Sequence, residues 1–352
     1  MTASDTIPDS PFDRTAPPPA PARPVRPFFW SVRRELWENQ SVWIAPLAVA
    51  ALVVFGTLVA ALGAHHVKSV GRTATTVSQT ISPNETVTVT KTANADGTLA
   101  MQKVVKVEGP PTPPPTPEQR RAMESIPFYM IAAAMLLTMF LVAVFYCLGG
   151  MYNERRDRSI LFWKSLPVPD LTTVLSKAVV PMAILPVVTF VVAAGTQLIM
   201  FAIGSMAYAS RSRGIDADLS IPLADIIGME AYGVVAMTLW WAPVYAWLLL
   251  VSGWAKRAPF LWAVLPPLGL ALLEKVALGT TRIGGLIQSR LVGGGDVAFV
   301  TVHKTPGMDP SAMFPHIDPA KFVSTPGLWV GLVVAAGMLA ATVWMRRRRE
   351  PI

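Results

Sequence analysis

Apolar residues in this chain come in long unbroken runs rather than in alternation. Six runs stand out, at 42–62, 127–151, 178–207, 231–254, 259–278 and 327–345. A hydrocarbon core of about 30 Å is crossed by about 20 helical residues. In lipid every backbone N–H and C=O must be bonded within the protein, so runs of this length predict helices. Barrel strands would be about ten residues long and would alternate. The run at 178–207 exceeds one crossing and holds Pro181 and Pro186, which predict a kink. The expected fold is an all-α integral membrane protein with six transmembrane helices.

Shorter patterns flank the runs. Over 28–41, residues Phe28, Phe29, Trp30, Val32, Leu36 and Trp37 share one helical arc, with Ser31, Arg34, Glu35 and Glu38 opposite. This predicts an amphipathic elbow helix in the headgroup plane, turning up into the first run near Pro46. Residues 1–27 are Pro-rich and lack the apolar segment of a cleavable signal peptide, so a disordered cytoplasmic tail is expected, followed by one domain over 28–352. Within the loop 65–126, TVTVT at 86–90 alternates, 103–107 is β-prone, and Asp96-Gly97 lies between them. That is the pattern of a small outer β-hairpin-like appendage. Residues 108–117 (EGPPTPPPTP) read as a stiff spacer, and Asn84-Glu85-Thr86 matches a glycosylation sequon. Ile283, Leu286, Ile287 and Leu291 predict a short amphipathic helix over 282–292 at the outer surface. Gly293, Gly294 and Gly295 should end it, and a strand should follow over 297–302.

Composition agrees with the runs. The 352 residues are 52% hydrophobic and only 15% charged, with a mean hydropathy of +0.46. A soluble domain carries about 25% charge. The net charge of +8 does not point to nucleic acid, because the cations flank the apolar runs instead of forming one solvated stripe. Basic clusters at Arg33-Arg34, at Arg155, Arg156, Arg158 and Lys164, at Lys256-Arg257 and at Arg346 to Arg349 fall on one side of a six-span chain. By the positive-inside rule that side is the cytoplasm. A multi-pass protein of a bacterial inner or plasma membrane, with both termini cytoplasmic, is the expected placement. The lone Cys147 sits in an apolar run, excludes an intrachain disulfide framework and reads as a packing residue.

Motifs for catalysis are missing from the sequence. It holds no Gly-x-x-x-x-Gly-Lys-[Ser/Thr] phosphate loop, no His-Glu-x-x-His and no Gly-x-Ser-x-Gly. The four histidines, His65, His66, His303 and His316, have no evident partner ligands, so neither a metal nor another cofactor is expected in this chain. The ionisable residues nearest the apolar runs are Glu230, Glu274 and Lys275. Each falls at the outer end of its run, where it can reach the headgroups. On that count the spans hold no buried proton relay, which weighs against a proton-driven carrier. Gly327 and Gly331 form a Gly-x-x-x-Gly pair of the kind that permits close helix contact.

The most informative loop follows the second run. Glu154, Arg155, Arg156, Asp157 and Arg158 make a mixed-charge run, followed by Ile160, Leu161, Phe162, Trp163 and Leu166 at helical spacing. Pro167 and Pro169 close it, and Asp170 can cap the helix that follows. A short helix parallel to the membrane, charged at one end and aromatic along its side, suits either docking of a cytoplasmic partner or packing on headgroups. Together with the amphipathic helix at 28–41 and six spans with both ends inside, this run leading to Lys164-Ser165-Leu166-Pro167 resembles the membrane subunits of ABC exporters of the type-two permease family. The resemblance implies that 154–166 is a coupling helix on which a separate ATPase subunit docks, holding ATP and Mg. It also implies a second permease subunit, in a homodimer or heterodimer, around a central path. In that arrangement Glu154, Arg156 and Arg158 would pair with charges on the ATPase, and Phe162 and Trp163 would fill its groove. Arg158-Ser159 stands where many members have Gly-Thr, and the first outer loop is longer than is common, which leaves subfamily and cargo open. The competing expectation is a non-transporting envelope scaffold or sensor whose outer loop binds a ligand.

Overall fold

Six helices long and apolar enough to cross a membrane carry the fold, which is that of an all-α multi-pass membrane protein. The structure is a computed structural model and describes residues 27–70, 75–82, 85–93, 99–104, 116–157, 169–209, 221–300 and 316–348. Helix α1 (Pro27–Glu38) leads into α2 (Ser41–Val70). Three strands follow, β1 (Thr75–Ser82), β2 (Glu85–Ala93) and β3 (Leu99–Val104), before α3 (Pro117–Gly150) and the short α4 (Tyr152–Arg156). Next come α5 (Asp170–Val179), a π-helical turn (Val180–Ile184) and α6 (Leu185–Ala209). The remainder comprises α7 (Leu223–Trp254), α8 (Pro259–Leu278), α9 (Arg282–Leu291), α10 (Gly294–Ala298), β4 (Phe299–Val300), β5 (His316–Ile317), α11 (Pro319–Ser324) and α12 (Pro326–Arg348).

Several helices are longer than the apolar runs. α3 begins at Pro117, ten residues before the run, because Thr116 accepts from the Gln119 N–H while the Gln119 side chain accepts from the Thr116 N–H. This reciprocal pair satisfies two donors that the helix start leaves open, and Pro117 at the first helical position has no N–H to satisfy. The helix thus takes over the end of the expected spacer. The kink expected in the third span is a π-helical turn containing Pro181. Proline cannot donate to the carbonyl four residues back, here that of Lys177, and the ladder widens around the gap. β1, β2 and β3 pair antiparallel in that order, with Thr88 opposite Val104 and Thr90 opposite Gln102. Asp96-Gly97 and the tail 1–26 lie outside the described residues.

α7 is the central helix. Of its most apolar stretch 67% is buried, against 11% for α2 and for α8, so those two present the barest apolar faces. Met139, Cys147, Tyr245 and Leu249 are fully buried between α3 and α7, where Phe140 packs on Trp241 at 4.6 Å between ring centroids. Cys147 is thus a packing residue. The turn from α7 to α8 is tight: Ala258 takes a left-handed φ of 46° immediately before Pro259. α8 returns antiparallel to α7, and Trp247 Nε1 donates to the Ala263 carbonyl at 3.0 Å.

The short amphipathic helix expected over 282–292 is α9, none of whose residues is buried. It folds back against α8, and its end also meets α7. Trp240 Nε1 donates to the Ser289 carbonyl at 3.0 Å and Trp241 Nε1 to the Leu291 carbonyl at 3.3 Å. Trp240 precedes Trp254 by 14 residues, about 21 Å along the helix, so the end of α9 reaches the middle of α7. α9 ends at Leu291, just before the three glycines as expected, and a second short helix, α10, starts within them at Gly294. Of the strand expected over 297–302, Phe299 and Val300 pair with Ile317 and His316.

Candidate functional site

The end of the bundle that holds α1, α4, the start of α5 and the last turn of α12, here called the basal end, carries a buried ionic cluster. Lys177, on α5, is 1% exposed, and its Nζ donates to Glu35 Oε1 at 2.7 Å and lies 3.1 Å from Glu154 Oε1. Glu35, on α1, is also 1% exposed and accepts from the Tyr146 hydroxyl on α3 at 3.1 Å. Glu154, on α4, accepts from Arg34 Nη2 at 2.6 Å and from Arg346 Nη1 at 3.1 Å. Arg346 in turn donates from Nε to Asp170 Oδ1 at 3.1 Å, and Arg34 Nε stands 3.2 Å from Glu38 Oε1. Three cations and four carboxylates from α1, α4, α5 and α12 therefore meet in one network. At the rim, burial raises the Glu38 carboxyl above its ordinary range against the opposing pull of Arg34.

The local sequence explains the geometry. On α1 the aromatic arc faces outward, with Phe29 60%, Trp30 55% and Trp37 73% exposed, while Glu35 on the opposite arc points into the bundle. The amphipathic pattern was legible, but its polar side meets protein. Arg346 belongs to the terminal basic cluster, yet it alone of Arg346, Arg347 and Arg348 is turned inward.

The residues expected to dock a partner divide into three groups. Glu154 and Arg155 are buried at 7% and 6% exposure, which corrects the expectation that Glu154 pairs outside the chain. Its carboxylate is already shared among Arg34, Lys177 and Arg346. Arg155 Nη2 donates to the carbonyls of Ser252 at 2.8 Å and Ala255 at 2.6 Å, placing a cation on the open carbonyls where α7 ends. Arg156 and Asp157 are exposed and paired with each other at 3.1 Å. Arg158, Phe162, Trp163 and Leu166 lie outside the described residues.

The three boundary residues also separate. Lys275 is exposed, as expected. Glu274 does not reach for headgroups: it accepts from Thr280 Oγ1 at 2.6 Å, Arg282 N at 2.8 Å and Ile283 N at 2.6 Å. It therefore caps the first turn of α9 with a carboxylate. Glu230 is 3% exposed, and its polar neighbour is the fully buried Gln197 side chain on α6. Glu230, expected from its sequence position at the outer boundary of the fourth run, is thus enclosed by protein there.

Beside the Gly-x-x-x-Gly pair of α12 lie the side chains of Trp240 on α7 and Arg290 on α9. The Arg290 guanidinium lies over Trp240 at 4.3 Å from the ring centroid and donates to the Gly327 carbonyl. A Cβ on Gly331 would stand 2.7 Å from Arg290 Nη2, so the missing side chain is the room the guanidinium occupies. Among the described residues no group of three or more His, Cys, Asp or Glu could hold a metal ion. No protein-family model, curated protein or solved structure matches the chain.

Glu35, Lys177 and Arg346 were not singled out from the sequence. One signal was available: Lys177 is a lone cation one residue before the third apolar run, on a short amphipathic helix that buries Val174, Ser176 and Ala178. A cation at such a position needs a carboxylate from another element.

Proposed function

We propose that this chain is the membrane-spanning permease subunit of an ATP-driven exporter of the ABC class. It works with a separate ATPase subunit that binds ATP and Mg, and with a second permease subunit. In this reading the basal end faces the cytoplasm, α1 is an elbow in the headgroup plane, the sheet β1–β3 is an outward appendage, and 158–168 docks the ATPase. The observation that supports it best is the position of the ionic cluster. The chain enters 158–168 from α4 and leaves it into α5, and both helices are fixed to the same buried charges. A push on the segment between them is delivered to α1, α5 and α12 together instead of being absorbed in a loose connector, because a close-packed cluster moves as a unit. Exposed Arg156 and Asp157 stand where that segment begins.

The test is retention of the ATPase subunit on immobilised full chain. Trp163→Ala removes a large aromatic, and truncation of a buried interface aromatic costs about 2 kcal/mol or more, roughly a thirty-fold loss of affinity. Arg156→Glu and Arg158→Glu weaken retention further at low salt, where charges are less screened. Unchanged retention in all three variants, at normal membrane expression, overturns the docking assignment.

A further inference from the structure

Arg33 occupies the wrong side of its helix for a charge. Phe29, Trp30, Arg33 and Trp37 lie together on the exposed aromatic face of α1. The Arg33 guanidinium stands 5.3 Å from the Trp30 ring centroid and 5.7 Å from that of Trp37. Its neighbour Arg34 is taken up by Glu35, Glu38 and Glu154, whereas Arg33 forms no salt bridge among the described residues. Beside it opens a groove lined by Arg33, Leu36, Trp37, Gln40 and Trp43, at the corner where α1 meets the first turn of α2. Its lining joins a cation and an amide to apolar Leu36, Trp37 and Trp43, and on the adjoining turns of α2 Ile44 and Leu47 are 57% and 54% exposed.

A cation on a face that meets lipid needs a counter-anion, and at the level of the headgroups that anion is a phosphate. Two indole rings hold the guanidinium in place, so little freedom is lost when it binds. The lining contains no carboxylate, so it favours a headgroup with net negative charge. We infer that this groove binds one anionic phospholipid. Its phosphodiester accepts from the Arg33 guanidinium and the Gln40 amide, and its acyl chains lie along α2 past Trp43. A free phosphate ion matches the polar end alone and leaves the apolar wall unused. The inference is independent of the role of 158–168.

Native mass spectrometry of the full purified chain, titrated with equal amounts of phosphatidylglycerol and phosphatidylcholine, tests this. Wild type retains phosphatidylglycerol in preference. Arg33→Gln lowers that retention about five-fold or more, Trp37→Leu lowers it with the charge still present, and Arg120→Gln, at an exposed cation ahead of the second apolar run, leaves it unchanged. Millimolar inorganic phosphate does not displace the lipid. Equal retention by wild type and both groove variants, no preference between the two lipids, or displacement by inorganic phosphate overturns the site.

Discussion

Lys177→Met is the most direct perturbation of the basal cluster. Methionine keeps the length and apolar stem of lysine and removes the charge. The lysine side chain is 2% exposed and lies within 3.1 Å of two carboxylates that are themselves 2% and 8% exposed. Four carboxylates are then left with Arg34 and Arg346 alone, and Glu35 keeps the Tyr146 hydroxyl and one contact to Arg34. Deleting one partner of a buried ion pair costs about 3–5 kcal/mol, because the other charge stays buried without compensation. At about 2 °C per kcal/mol for a large chain, the melting temperature in detergent falls by roughly 6–10 °C. The double variant Lys177→Met/Glu35→Gln removes the stranded charge while preserving an acceptor for Tyr146. It should recover more than half of the loss, giving a coupling energy of at least about 2 kcal/mol in the cycle. Tryptophan-fluorescence melting of the four proteins is the assay. A Lys177→Met protein that melts within a degree of wild type, or a double variant less stable than the single one, refutes the claim that these charges stabilise one another.

Three further outcomes are expected. Gly331→Ala places a Cβ 2.7 Å from Arg290 Nη2 and shifts the guanidinium off Trp240, so it should cost about 1 kcal/mol in the same melting assay, and Arg290→Ala should abolish that penalty. Glu274→Ala removes the cap of α9, costs about 1 kcal/mol and speeds hydrogen exchange at the Arg282 and Ile283 amides; unchanged exchange there refutes the cap. A cysteine at Ala95 should react with an impermeant thiol reagent in intact cells and one at Ser159 should not, with buried Cys147 silent in both; protection at Ala95 overturns the orientation.

A buried ionic cluster is an expensive way to hold helices together. Apolar residues of similar volume usually do as well or better, because two charges must first be stripped of water. Its distinguishing property is selectivity: a carboxylate with three cation neighbours fixes where each of them ends. Glu154 meets Arg34, Lys177 and Arg346, and thereby sets the positions of α1, α5 and α12 against α4. Leucines at the same places would allow each helix to slide or rotate by a fraction of a turn at little cost. Toward the other end of α7 the polar ties run to backbone instead: Arg290 donates to the Gly327 carbonyl and the Tyr232 hydroxyl to that of Ala298.

The contrast between what was legible and what was not follows from the range of the forces involved. Span existence depends on local composition against a fixed core thickness, so all six runs have a helix, and 259–278 matches α8 residue for residue. Helix ends follow the apolar run only where the cap adjoins it; the cap of α3, Thr116 with Gln119, lies in a polar stretch and extends the helix by ten residues. The amphipathy of α1 was legible, but its inversion was not: a wheel separates polar from apolar positions without saying which side meets water, and Glu35 is held inward by Lys177, 142 residues away in sequence. Glu274 shows the same limit. Its charge and its place at the end of a span suit a headgroup contact or a helix cap equally, and only the return of α9 against α8 decides between them. Gly331 is the clearest case, because its spacing from Gly327 reads as room for a second helix, whereas the occupant of that room is an arginine from a helix 41 residues earlier in the chain.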